Sequence, residues 1–227
     1  MEFIEKLINL IVENKDMPKV QVERELSPII EIFIEDILKD GSKIDKRIQE
    51  GNYKLIATEF PLQSKTKEND KDTYRSTNID YLLLNEKYNE LYLVELKTDS
   101  KSFENKQFLY YKEIIENKKP AYELFEFLDE LENKKYKYLT SYVREKMGVK
   151  EDENPFENIK KIHLVYIAPK KMFTKNWGDE NQKCMIDLQE EENYAIINFS
   201  DFKKIDVKSY KKEWSIITKK IEELDKN

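Results

Sequence analysis

The clearest hydrophobic pattern lies in the middle of the chain. Ile79-Asp80-Tyr81-Leu82-Leu83-Leu84 and Leu91-Tyr92-Leu93-Val94-Glu95-Leu96-Lys97 are two apolar runs joined by the polar segment 85–90. Runs of this kind, separated by a turn of Asn, Glu, Lys and Tyr, predict a β-hairpin. If Leu84 pairs with Leu91, then Leu82 faces Leu93 and Asp80 faces Glu95. Side chains alternate along a strand, so Glu95 and Lys97 share a face. Neighbouring positions are apolar on both faces, the pattern of a strand covered on both sides. Like charges directly opposite each other destabilise a sheet. Two carboxylates and an ammonium crowded into such surroundings carry the penalty of poorly compensated buried charge. A divalent cation between Asp80 and Glu95 would relieve it, so the hairpin is a candidate metal site on its chemistry alone.

Around the hairpin the periodicity changes. Phe3, Ile4, Leu7, Ile8 and Ile11 have the spacing of a short amphipathic helix. A second helix is predicted from about Val20 to Leu38, with Leu26, Ile30, Phe33 and Ile37 on its core stripe and Asp40-Gly41-Ser42 as its stop. Tyr53 to Phe60 reads as a strand stopped by Pro61, and the charged stretch from Ser64 to Asn78 reads as a loop. Ser102 to Asn117 is predicted helical, closed by Pro120; Ala121 to Met147, rich in Tyr, Phe and Leu, is predicted as two helices. Ile162 to Ala168 is a buried-type strand ended by Pro169. Tyr194 to Phe199 is a further strand, with Ser200 as an N-cap and Asp201 in the first turn of the closing helical region. The order of elements predicts an α/β fold with a central sheet, within one domain spanning 1–227.

Composition narrows the chemistry. Hydrophobic content of 39% beside charged content of 38% suits a protein with a substantial core and a heavily charged surface. No run approaches the length of a membrane span, and the Glu2 and Lys6 flanks do not suit a signal peptide, so no membrane association and a cytoplasmic location are expected. Cys184 and His163 are the sole residues of their kinds. Disulfides, zinc cages and histidine triads are therefore ruled out or strongly disfavoured by inventory. Glycines 41, 51, 148 and 178 never cluster into a phosphate-binding loop. What remains is carboxylates, lysines, hydroxyls and a hard metal ion. The net charge of −6 weighs against broad nucleic-acid binding, which draws on Lys and Arg. A local basic rim is still available from Lys65, Lys67, Lys71 and Arg75 before the hairpin and Lys101, Lys106 and Lys112 after it.

An acid-x-Lys tripeptide alone carries no information, since it also occurs at Glu13, Asp99, Glu104, Glu116, Glu132, Asp201 and Asp206. Only the copy at Glu95 closes an apolar strand whose hairpin partner opens with an Asp. Asp80…Glu95-Leu96-Lys97 resembles the core of the PD-(D/E)xK nuclease superfamily. Glu59, in Thr58-Glu59-Phe60-Pro61, stands where many members keep a supporting acid. Gln107-Phe108-Leu109-Tyr110-Tyr111 matches the QxxxY pattern of several branches. Glu23-Arg24-Glu25-Leu26-Ser27 resembles the first core helix of one branch of uncharacterised bacterial members, as do the later segments 165–169 and 196–202. The residue before Asp80 is Ile79 where the superfamily's name has Pro.

The resemblance implies a restriction-endonuclease-like core, a central mixed β-sheet flanked by helices, with an extra helical insertion around 121–147. It implies Mg²⁺, or Mn²⁺, held by Asp80, Glu95, the Leu96 carbonyl and Glu59. Lys97 would assist the attacking water, Gln107 and Tyr111 would support the site, Glu23 would back it, and Lys101 and Arg75 would meet nucleic acid. The implied activity is metal-dependent hydrolysis of DNA phosphodiester bonds, with a protein partner or homo-oligomer compatible with it. The competing reading is a nuclease-fold protein of weak or no activity that serves as a binding or regulatory subunit, for example in a defence system. At residue level the plain alternatives are an Asp80–Lys97 salt bridge and ordinary helix packing for Gln107 and Tyr111. Cys184 reads as a small apolar filler and His163 as a strand residue without a role.

Overall fold

In a computed structural model the described residues are 3–13, 22–68, 71–99, 101–116, 121–131, 133–174 and 179–226, with 3, 9, 13, 63–68, 71–76, 179–183 and 226 described by backbone alone. Five strands form one sheet in the order β1 (Tyr53–Glu68), β2 (Lys71–Asn85), β3 (Glu90–Leu96), β4 (Lys161–Ile167) and β5 (Tyr194–Ile197). The first three are antiparallel neighbours, and β3, β4 and β5 are parallel. The sheet is therefore mixed. Strand β3 sits at its centre, and its residues from Leu91 to Leu96 are all buried.

Each face of the sheet carries its own apolar layer. On one side Tyr81, Leu83, Tyr92, Val94 and Leu96 meet helices α1 (Phe3–Glu13), α2 (Val22–Gly41) and α8 (Lys211–Ile221). On the other, Leu82, Leu91, Leu93 and Leu164 meet α3 (Asn105–Glu116), α4 (Ala121–Asp129), α5 (Lys134–Met147) and α7 (Asp179–Glu190). The odd and even positions of β3 thus serve opposite layers, as strand geometry requires. Glu95 and Lys97 belong by parity to the side of α3.

The predicted hairpin register holds: Leu82 pairs with Leu93 and Leu84 with Leu91. The two-helix reading of 121–147 also holds. Asn133 caps α5 by accepting from the Lys135 N–H, and Gly148, at φ 70°, ends it in the left-handed conformation that glycine takes readily. Helix α2 begins at Val22 among the described residues; Val20 lies outside them, as do Pro120 and Gly178.

Three expectations are corrected. Residues 64–78 are not a loop: β1 runs past Pro61 to Glu68, and β2 begins at Lys71. Pro61 fails to stop β1 because β1 is an edge strand, where a residue without an N–H can be accommodated. The closing helical region is entered at Asn198, whose N–H donates to Asp201 Oδ2 at 3.2 Å, ahead of the 3-10 turn Phe199–Lys204; Ser200 lies within that turn. Two helices between β4 and β5, α6 (Lys170–Thr174) and α7, were missing from the predicted order.

His163 has defined surroundings in the core. Its ring stacks on Tyr92 at 4.6 Å, and Nε2 lies 3.0 Å from Glu90 Oε2. Burial, with Lys161 adding to it, pushes its pKa down to about 4. The contact with Glu90 is thus a hydrogen bond from a neutral imidazole rather than an ion pair, and buried Nδ1 has no partner among the described residues. A histidine held below its unfolded pKa of about 6.5 contributes stability above that pH and loses it as pH falls toward 4. The expected loss is roughly 3 kcal/mol. Urea unfolding of the parent and of His163→Phe between pH 7 and 4 measures it, and the variant should have the flatter profile. As the sole histidine, its ring resonance can be followed by NMR without assignment.

Candidate functional site

The site forms where β2 and β3 part. Their ladder ends at the Tyr81–Val94 pair, one residue short of setting Asp80 opposite Glu95 as a paired couple. Beyond it the Leu96 N–H donates to Asp80 Oδ2 at 2.6 Å. A side chain thus takes the place of a strand partner, and Asp80 is fastened to the backbone between Glu95 and Lys97.

Glu95 is 2% exposed and accepts from three donors. Lys97 Nζ lies 2.7 Å from Oε1, Gln107 Nε2 donates to Oε1 at 2.8 Å, and Tyr111 OH donates to Oε2 at 2.8 Å. Gln107 Nε2 also donates to Tyr111 OH at 2.8 Å. Gln107 and Tyr111 lie four apart on α3, so one helix face delivers both. The QxxxY pair is brought to the acid of the acid-x-Lys motif. The Asp80–Lys97 salt bridge of the plain alternative is not formed; the lysine pairs with Glu95.

The electrostatics of the site are those of anions out of water. Burial first, then the Glu95 charge, push the pKa of Asp80 up to about 8, although the Leu96 N–H opposes this. Burial also raises Glu95, against the pull of Lys97, Tyr111 and Gln107. Burial alone would lower Lys97, but Glu95, Glu23 and Asp80 outweigh it and hold the ammonium above its usual range. Burial and the Glu95 charge push Tyr111 well up, so it remains a protonated donor. Carboxylates raised by desolvation beside a strongly basic lysine form a site short of positive charge.

Glu23 joins from the opposite layer. Four residues on, Ser27 is fixed to β2: Ser27 Oγ lies 2.8 Å from Tyr81 OH, which donates to the Ser27 carbonyl at 2.9 Å. That anchor holds the start of α2 beside the site. Glu23 is raised mainly by burial, with Lys97 opposing and Glu95 and Glu59 adding.

Glu59 takes a different position from that expected of a ligand. It is exposed, it adopts a left-handed φ of 50°, and its nearest described partner is Asn78 Nδ2 at 3.4 Å. It sits between the Thr58–Tyr81 and Phe60–Ile79 pairs, across from Asp80. Backbone strain of this kind in a non-glycine residue costs about 1–3 kcal/mol.

Lys101 is exposed in the bend after β3, where its N–H donates to Asp99 Oδ1. The side chains of Arg75, Lys65, Lys67 and Lys71 lie outside the described residues. Lys112 does not join a basic rim, for its ammonium is held by Asp187 at 2.8 Å, Glu191 at 3.0 Å and Glu116 at 3.2 Å. That clasp ties α3, and with it Gln107 and Tyr111, to α7. Asn78, whose carbonyl lies 3.3 Å from Tyr111 OH, was missed because its segment reads as loop.

Among the described residues no group of three or more His, Cys, Asp and Glu side chains is arranged to hold a metal ion. The donor set that fits a hard cation is Asp80, Glu95 and the Leu96 carbonyl. It is all oxygen and leaves most positions to water, as Mg²⁺ prefers.

Gln107→Ala and Tyr111→Phe separate positioning from packing. A positioning role predicts turnover lowered about a hundredfold per folded molecule, with a moderate loss of stability for Tyr111→Phe, which keeps the buried ring but removes a buried hydrogen bond to Glu95. Lower melting temperature with parental turnover would assign both residues to packing alone.

Comparison with protein-family models, with curated proteins and with solved structures finds no match.

Proposed function

We propose that this chain is a metal-dependent nuclease with a restriction-endonuclease-like core, hydrolysing DNA phosphodiester bonds. The observation that carries the reading is the convergence on Glu95 of Lys97, Gln107 and Tyr111, with Asp80 bound to the intervening Leu96 N–H. These are the residues that the resemblance to the PD-(D/E)xK superfamily singles out. They come from β2, β3 and α3, and sequence spacing alone does not require them to meet.

In this reading Asp80, Glu95 and the Leu96 carbonyl hold Mg²⁺ or Mn²⁺. A bound cation of this type supplies a Lewis acid that lowers the pKa of water and neutralises charge on a phosphate. Lys97, kept protonated by its acidic neighbours, orients the attacking water and stabilises negative charge as it develops. Gln107 and Tyr111 fix the Glu95 carboxylate so that its position does not depend on the ion. The Glu23 charge helps to keep the Lys97 ammonium protonated.

The test is cleavage of labelled single- and double-stranded DNA with Mg²⁺, with Mn²⁺ and with EDTA. Metal-dependent cleavage that Asp80→Asn eliminates supports the reading. A folded protein that cleaves neither substrate with either metal would favour the binding-subunit alternative, toward which the net charge of −6 points.

A further inference from the structure

Helix α5 departs from the charge and burial habits of the rest of the chain. Its fourteen residues carry five Lys and Arg against one Glu, in a protein whose net charge is −6. Arg144 is committed to Asp129, its Nη2 lying 2.6 Å from Oδ2. Lys134, Lys135, Lys137 and Lys146 have no acidic partner among the described residues.

The tyrosines behave differently too. Tyr81, Tyr92, Tyr111, Tyr166 and Tyr194 are fully buried, whereas Tyr138 on α5 is 74% exposed. Its ring lies 6.5 Å from that of Tyr142, with the planes only 19° from parallel, and Lys146 Nζ stands 5.4 Å over the Tyr142 ring. Lys134, Tyr138, Tyr142 and Lys146 recur every four residues, so they form one stripe along the helix. The opposite side of α5 is occupied: Val143 is buried in the apolar layer beneath the sheet, with Leu139 and Met147 packed against that layer. The helix contacts β1, the strand that carries Glu59.

A polypeptide gains little from holding a large ring 74% in water. Near-parallel aromatic rings bordered by cations without acidic partners match the requirements of unpaired bases on a charged backbone. The bases stack on the rings, and the phosphates meet the ammonium groups. An acidic peptide could use the lysines but not the flat faces, and in a duplex the base faces are already covered by their neighbours.

We infer that the Lys134–Tyr138–Tyr142–Lys146 stripe of α5 is a binding platform for single-stranded nucleic acid. The inference rests on the nuclease reading for its choice of ligand and deepens it, since it names unpaired strands as the form of nucleic acid that the chain binds.

The experiment is fluorescence anisotropy of a labelled oligothymidylate titrated with the full chain in EDTA, where binding is read without cleavage. Tyr138→Ala and Tyr142→Ala should each weaken binding about tenfold, with the melting temperature unchanged. Tyr138→Phe and Tyr142→Phe should bind like the parent, because the rings remain. Lys134→Gln and Lys146→Gln should each reduce the slope of log affinity against log salt by about 0.7. Alanine variants that bind as tightly as the parent would overturn the platform, as would a parent that does not bind the oligonucleotide or that binds a duplex equally well. The two readings fail separately. Tyrosine-dependent binding without metal-dependent cleavage removes the nuclease and keeps the platform; cleavage with tyrosine-independent binding does the reverse.

Discussion

Lys97→Ala should reduce metal-dependent DNA cleavage by at least about a hundredfold, the scale seen when one preorganised donor to a developing charge is removed, while the protein still binds the cation. Lys97 is 8% exposed and its ammonium lies 2.7 Å from Glu95 Oε1, so it has one fixed place from which to act. Lysine donates and cannot ligate while protonated, and its acidic neighbours keep it protonated. Its removal also takes a positive charge away from Asp80 and Glu95, which makes the site more receptive to a cation. Stability should fall at the same time, because breaking a buried pair leaves a carboxylate less compensated. Tyr111 and Gln107 still hold Glu95 and limit that loss. Turnover must therefore be measured per folded molecule, with metal affinity measured beside it. Parental turnover would remove Lys97 from the chemistry.

Asp80→Asn should have the opposite effects on stability and metal binding: a more stable metal-free protein at neutral to alkaline pH, and loss of the stabilisation that Mg²⁺ provides. Burial and the Glu95 charge hold the Asp80 pKa at about 8 in the folded chain, against roughly 3.9 in an unfolded one. Between those values the folded state binds a proton that the unfolded state has released. Stability of the metal-free parent therefore falls as pH rises from about 4 to about 8, and levels off above that. Each tenfold change in proton affinity is worth about 1.4 kcal/mol, so the penalty reaches several kcal/mol at the top of the window. Asparagine keeps an oxygen to accept from the Leu96 N–H and carries no charge, so its profile should lack this fall. A cation bound only by the folded parent offsets the penalty by mass action, and must displace the proton to do so. Mg²⁺ should accordingly stabilise the parent more at pH 8 than at pH 6, and the variant at neither. Denaturant titrations of both proteins at the two pH values, with and without Mg²⁺, provide the check.

The parts of this arrangement legible in the sequence are those set by short-range periodicity. The alternation around Leu82, Leu84, Leu91 and Leu93 specified the hairpin register, because a slip of one residue would move every side chain to the other face. The four-residue spacing of Gln107 and Tyr111 was enough to put them on one helix face. Other features depend on the neighbours a segment acquires. Residues 64–78 are too polar to read as strand, yet they pair because β1 and β2 supply each other's backbone partners. Pro61 reads as a stop unless β1 is known to be an edge. Ser200 reads as a cap by residue type, but the turn begins two residues earlier, at Asn198, whose N–H is held by the Asp201 carboxylate. The left-handed turn of Glu59 has no local signature, since neither glycine nor asparagine occupies the position. Glu59 stands exposed across from Asp80. The role of Ser27 follows from a tyrosine 54 positions away, and no local pattern reports such a contact.

The central claim is that Asp80 and Glu95 share one divalent cation. Isothermal titration of the metal-free chain with Mn²⁺ at pH 8, beside Asp80→Asn and Glu95→Gln, addresses it most directly. The account predicts one saturable site in the parent, released protons that scale with the buffer's ionisation heat, and no binding in either variant. Parental affinity in Asp80→Asn would contradict it and place the ion elsewhere.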